Sequence, residues 1–156
     1  MEKNDLTFHR EDGVFNFRVG AIIIHDNKIL MVKNDKDPYF YSVGGRCKMG
    51  ETIDEAIVRE CKEETGVDFE IDRPGFIHEN FFQVRNEKYH EVSFFYYMKA
   101  VENYDFVCGS KNEFDDNEQL VWVDLDNCEN VKLFPEFFKT DLSDDWQVKH
   151  IVTRQI

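Results

Sequence analysis

Between Thr52 and Gly66 the sequence carries both end signals of a single helix. Thr52-Ile53-Asp54-Glu55 has capping-box spacing: the Thr52 hydroxyl can accept from the Glu55 backbone N–H while the Glu55 carboxylate reaches back. Gly66 is placed to take the left-handed conformation that ends a helix, with Val67 as the apolar residue beyond it. Ile53, Ile57 and Cys61 recur every fourth residue with Ala56 beside them, which makes one covered face. The spacing predicts a helix over Thr52–Thr65, and the rest of the chain must supply the surface it packs on.

That surface reads as β-structure. Val14–Ile24 and Lys28–Val32 flank His25-Asp26-Asn27, a turn, and form a hairpin. Asn34–Pro38 is a polar loop before a short aromatic strand, Tyr39–Val43. After the helix come β-rich runs at Phe69–Ile71, Phe76–Val84, Tyr89–Val101 and Gln119–Val123, with Tyr89–Ala100 apolar enough for a central strand. Gly109–Glu118 is a long acidic loop. Leu133–Phe138 predicts a short helix with Pro135 in its first turn, directing Phe134, Phe137 and Phe138 at the core. Strands on both sides of one strong helix, with a second helix late, imply an α/β chain of the α+β mixed-sheet kind with helices on its faces. No repeat or linker divides the 156 residues, so residues 1–156 are expected to form one domain.

Composition narrows the partners. A 42% hydrophobic content and 15 phenylalanines suit a packed core. The formal charge of −13 repels phosphate polymers and anionic membranes, which argues against both as ligands. The N-terminus has no apolar run and no window is long enough to span a bilayer, so a soluble, cytoplasmic protein is expected. Cys47, Cys61, Cys108 and Cys128 lack metal-site spacing and are expected to be free thiols.

An acidic excess becomes chemical where carboxylates converge. Glu60 lies three residues before Glu63 and four before Glu64, so all three rise from neighbouring positions on the helix. No basic residue stands four positions after Glu60 to offset the repulsion. An exposed acidic face is the plain alternative. Against it, Glu60 and Glu64 flank the apolar stripe near the boundary with the sheet. Val43-Gly44-Gly45 also ends a strand just before the helix, where backbone carbonyls can approach a ligand. Carboxylates with a backbone carbonyl are the hard oxygen donors that Mg²⁺ or Mn²⁺ prefer.

Gly45, five residues, Glu51, seven residues, then Arg59-Glu60-Cys61-Lys62-Glu63-Glu64-Thr65-Gly66-Val67 matches the Nudix box G-x5-E-x7-R-E-U-x-E-E-x-G-U, where U is apolar. Every fixed position is met, with Cys61 acting as a small hydrophobe in the first U slot. The chain therefore resembles the Nudix hydrolases. The resemblance implies an α/β/α sandwich with a loop–helix–loop catalytic motif beside a mixed sheet. It also implies hydrolysis of a diphosphate joining a nucleoside to another group, with Mg²⁺ or Mn²⁺ as cofactor. On this reading Glu60, Glu63 and Glu64 bind metal together with the Gly45 carbonyl, Glu51 supports the loop, and Arg59 orients the glutamates. The general base in such enzymes is either the box glutamate matching Glu60 or an acidic residue outside the box. Glu113, Asp115, Asp116 and Glu118 are the candidates outside it, and Glu118 is the first choice.

The resemblance implies a small nucleotide-type substrate, and the expected assembly is a monomer or homodimer. Arg46 is a candidate for phosphate, and Tyr41, Phe81 and Phe82 for stacking on a nucleoside. At about 15 residues past the box some subfamilies carry a proline or a tyrosine, whereas here Phe81 to Gln83 occupy that distance. The sequence thus names no substrate. The alternative function is a catalytically silent Nudix domain that binds a nucleotide as a sensor or interaction module.

Overall fold

The structure, a computed structural model, describes residues 4–106 and 117–156. In chain order these form β1 (Thr7–Arg10), β2 (Gly13–Ile22), β3 (Ile24–His25), β4 (Lys28–Asn34), β5 (Phe40–Arg46), α1 (Ile53–Thr65), β6 (Ile71–Val84), β7 (Glu87–Met98), β8 (Glu118–Asp124), β9 (Leu133–Phe134), a 3₁₀ turn (Glu136–Lys139) and β10 (Lys149–Arg154). The strands join one mixed sheet in the order β10-β6-β7-β2-β5-β4-β3, with β1 on β2, β8 on β4 and β9 on β5. The pairs β2/β7, β6/β10 and β5/β9 are parallel. The other strand pairs are antiparallel.

Alternation along the strands separates two buried faces. Val19, Ala21, Leu30, Val32, Tyr96 and Met98 pack with Ala56, Ile57 and Cys61 of α1. Their neighbours Ile22, Ile29, Met31, Phe95 and Tyr97 pack with Phe137 and Phe138 of the 3₁₀ turn. A mixed sheet with its helix on one face and a shorter cover on the other is the α+β architecture expected. The apolar run at β2 follows from this, because the strand lies inside the sheet and is covered on both sides.

Several elements differ from the sequence reading. The expected late helix is a β-bridge segment and then a 3₁₀ turn. Leu133 and Phe134 pair with Phe40 and Tyr41 of β5, and Pro135 has no N–H to continue either pattern. Phe137 and Phe138 are buried as expected, but Phe134 is only half-buried, edge-on to Tyr39. Phe69 lies outside any strand, in the α1-side core. β6 instead starts at Ile71 and runs through Pro74, with register shifts against β7 that absorb the missing donor. β1 and β10 had no expectation at all: both are short, and their alternation reads only once β2 and β6 offer partners. No helix among the described residues is long and apolar enough to cross a membrane.

Packing at Gly20 gives the fold a checkable point. A Cβ there would lie 2.3 Å from Cε1 of Phe95. That ring is wedged edge-on against Phe137 and Phe138, at 5.6 and 5.5 Å between centroids. Gly20→Ala is expected to lower stability by about 1–3 kcal/mol through overpacking, measured by urea denaturation.

Candidate active site

Helix α1 is held at both ends as its sequence requires. Thr52 Oγ1 accepts from the Glu55 N–H at 3.1 Å, and Glu55 Oε1 accepts from the Thr52 N–H at 3.0 Å. Gly66 closes the helix at φ 79°. The Tyr96 hydroxyl donates to Asp54 Oδ1 at 2.6 Å and ties the first turn to β7. With its apolar stripe on the sheet, the helix has little freedom to turn, and the direction of its glutamates is set.

Arg59 organises the region between the helix and the preceding loop. Its Nε and Nη2 donate to both oxygens of Glu51 at 2.7 and 2.8 Å, a bidentate fork. Nη2 also donates to the Arg46 carbonyl at 3.0 Å, and Nη1 to Glu60 Oε1 at 2.9 Å and Glu63 Oε2 at 3.2 Å. Glu51 Oε1 accepts from the Lys48 N–H at 2.8 Å, which folds the loop back on itself. The hydrogen bond from Arg59 holds the Glu51 carboxyl below the usual carboxylate range, and Glu51 in turn holds the Arg59 guanidinium in its charged form.

Two box carboxylates turn inward at the glycine pair. Glu60 and Glu64 are each only 9% exposed, and Glu63 stays exposed. The Glu60 carboxylate lies against Gly45 so closely that a Cβ there would be 2.4 Å from Oε1. Gly44 adopts φ +151°, a conformation that side chains rarely allow, and its N–H points at Glu64 Oε1 from 3.4 Å. The other Glu64 oxygen, Oε2, is buried without a hydrogen-bond partner among the described residues. Burial pushes Glu60 upward, with Arg59 opposing it. Burial pushes Glu64 well above the usual carboxylate range, and the charges of Glu60 and Glu118 add to it.

Glu118, the first-choice base outside the box, is the first residue of β8 and is 8% exposed. It accepts a hydrogen bond from the Tyr41 hydroxyl. Glu113, Asp115 and Asp116 lie outside the described residues. Arg46 meets Arg59 through its carbonyl, and its Nε points at Asn16 Oδ1 from 3.4 Å. Phe81 and Phe82 are not brought to this site. They pair with His90 and Tyr89 of β7, four and five positions from Phe94, which is level with Val19 and Gly45. That places them about 13–17 Å away along the strand. Phe81 packs on His90 and under Arg154, and Phe82 stacks on Tyr89. Cys47, Cys61 and Cys128 are buried free thiols, and Cys108 is outside the described residues. Burial raises Cys47 to about 11, so it stays protonated. Sequence reasoning missed the hydrogen bond from Gly44 and the link from Tyr41 to Glu118. Only the two adjacent glycines gave a local hint of the first.

The donor set fits a divalent cation. Among the described residues no three acidic, histidine or cysteine side chains already stand at mutual ligand spacing, because Arg59 holds Glu60 and Glu63 to itself. Yet an ionised carboxylate oxygen buried without a donor is unfavourable, and its neighbours add negative charge rather than relieve it. A hard cation at Glu64 Oε2, with the Glu60 charge nearby, would satisfy that oxygen and offset the repulsion.

The sequence profile of the NUDIX domain matches residues 14–140. A protein named ADP-ribose pyrophosphatase from Methanocaldococcus jannaschii is 50% identical over 52 residues, 31% of this chain and 31% of the relative. Nudix hydrolase 2 of Arabidopsis thaliana is 41% identical over 61 residues, 35% of this chain and 22% of the relative. The chain thus matches a third or less of the length of these relatives. Among solved structures, an ADP-ribose pyrophosphatase from Streptococcus suis superposes with a TM-score of 0.59 at 18% identity, covering 86% of this chain and 98% of the other. A MutT protein from Methanosarcina mazei superposes with a TM-score of 0.56 at 20% identity, covering 84% and 91%. At these identities the likeness is one of fold.

Two outcomes follow from the charges. Arg59→Ala is expected to lower stability by about 2–3 kcal/mol in chemical denaturation, less than for a fully buried pair because 22% of the Arg59 side chain is exposed. Arg59→Lys recovers little of it, since an ammonium cannot span both Glu51 oxygens. Glu64→Gln has the opposite sign in protein freed of metal by a chelator. With its folded pKa raised, Glu64 destabilises the fold only where the unfolded chain would be ionised, above about pH 4.3. The variant is therefore expected to be more stable than wild type at pH 7 to 8, with the gain vanishing below about pH 4 in thermal melts.

Proposed function

The chain belongs to the Nudix family, and from that premise we propose that it is a metal-dependent pyrophosphohydrolase of nucleoside diphosphates linked to a further group. The observation that carries this reading is Glu64 Oε2, a buried carboxylate oxygen without a donor among the described residues, beside Gly44 and Gly45 of β5. Evolution of a stable helix alone has no use for it, and a cation-dependent reaction does.

Glu60, Glu64 and the Gly45 carbonyl would hold Mg²⁺ or Mn²⁺, with Glu63 within reach once its contact with Arg59 is exchanged. When bound, the cation supplies neutralisation of the charge that develops on the phosphoryl oxygens. The protein does the remainder by placement. Arg59 keeps Glu60 and the Arg46–Glu51 loop in register. Glu118 accepts the proton of the attacking water, whose oxygen bonds to one phosphorus in line as the bridging P–O bond breaks. The products are two phosphate-bearing fragments. Arg18 lends positive potential, since its charge lowers the pKa of both Glu60 and Glu64.

The substrate class is a small nucleotide, nucleotide sugar or similar diphosphate. The relative named ADP-ribose pyrophosphatase supports the bond type, and its match spans too little of either chain to carry over the ribose moiety. A net charge of −13 fits a small substrate better than a nucleic acid polymer or a membrane.

The test is a panel of nucleoside triphosphates, nucleotide sugars, dinucleoside polyphosphates and ADP-ribose with Mg²⁺ or Mn²⁺. Wild type is expected to turn over at least one compound, and Glu64→Gln to lose about 100-fold or more on it. Metal should raise the melting temperature of wild type and leave that of Glu64→Gln unmoved. Equal turnover by the two proteins would refute the metal role.

A further inference from the structure

Tyr41 reads in the sequence as one of several aromatic side chains available to stack on a nucleoside. Its surroundings assign it elsewhere. Tyr41 of β5 pairs with Val32 of β4, and Glu118 of β8 pairs with Asn34 of the same strand. Val32 and Asn34 are two positions apart and so share a face. The Tyr41 ring therefore reaches over β4, on the side that carries α1, and its hydroxyl donates to Glu118 Oε2. The ring itself packs on the α1-side core.

We propose that Tyr41 is a positioning residue whose hydroxyl fixes the carboxylate of Glu118 beside Glu64, so that Glu118 meets the attacking water in one orientation. This rests on the hydrolase reading above. Glu118 opens its strand, and a glutamate has three rotatable side-chain bonds. A general base must nonetheless lie within hydrogen-bond reach of the proton it takes. A phenol is suited to holding it. It donates without bringing a cation, so it restrains the carboxylate while weakening its basicity less than a lysine or arginine would. Burial and the hydrogen bond to Glu118 raise the Tyr41 pKa, so the hydroxyl remains a donor at neutral pH.

A double-mutant cycle of Tyr41→Phe, Glu118→Gln and the pair tests this on the best substrate of the panel. Tyr41→Phe is expected to lower kcat by about 10-fold with KM within about twofold, while Glu118→Gln loses about 10²-fold or more. The double variant should be no slower than Glu118→Gln, because Tyr41 acts only through Glu118. Additive losses, or a raised KM with kcat unchanged, would overturn the proposal, the second by making Tyr41 a substrate contact. A measurement without turnover keeps this separate from the reaction class. In protein labelled at glutamate Cδ, the Glu118 carboxyl resonance is assigned by its loss in Glu118→Gln. It should move in Tyr41→Phe, and an unmoved resonance overturns the proposal whether or not any diphosphate is hydrolysed. Should wild type be inert on the whole panel, the reaction class fails, and the resonance together with unchanged nucleotide affinity in Tyr41→Phe still decides what Tyr41 holds.

Discussion

The fork between Arg59 and Glu51 is the interaction on which the rest of the site depends. One guanidinium satisfies both oxygens of Glu51, closes the loop through the Arg46 carbonyl, and still reaches Glu60 and Glu63. Arginine alone offers so many donors in a fixed plane at a permanent charge. By serving those carboxylates it also divides the acidic cluster in two. Glu51, Glu60 and Glu63 share a cation that belongs to the protein. Among the described residues Glu64, one helical turn beyond Glu60, has only a long hydrogen bond from the Gly44 N–H. The deficit of positive charge is thereby concentrated at a single buried carboxylate, and the charges of Glu60 and Glu118 add to it.

That deficit needs a rigid frame, or the glutamates would swing out to water. The frame comes from three sources. Apolar residues on one side of α1 lock it to the sheet, Tyr96 pins its first turn, and the two glycines let the carboxylates come against the β5 backbone. At Gly45 any side chain would occupy the space of the Glu60 carboxylate, and at Gly44 the backbone conformation itself favours glycine. A buried carboxylate held at a cost to the fold is the kind of trade between stability and activity that functional sites make.

The aromatic residues divide differently from what their number suggests. Phe76, Phe95, Phe137 and Phe138 build the core opposite α1, and Phe81 and Phe82 decorate the far part of the β6–β7 ladder. Tyr41 is drawn into the carboxylate cluster, where it contributes its hydroxyl to Glu118. The solved structures that share the fold include both an ADP-ribose pyrophosphatase and a MutT protein, as expected where one scaffold hosts many pockets. The helix and its loop thus carry the family motif, and the proposed reaction class rests on them.

What the sequence determined by itself was local. Both ends of α1, its buried stripe and the converging glutamates are written within a few turns, where each signal acts on residues three or four apart. The Nudix box likewise spans one loop and one helix, so it was legible in a single line of text. The central strands could be read because burial on both faces makes them apolar throughout. The tertiary structure decided what depended on partners far apart in sequence. β1 and β10 are strands only because β2 and β6 present open edges, and Leu133–Phe134 forsakes helix for the backbone of β5. Tyr41 and Glu118, 77 residues apart, meet only because β5 and β8 flank the same strand. Helical spacing can be read along the chain, but a hydrogen bond across a sheet exists only after the sheet has chosen its order.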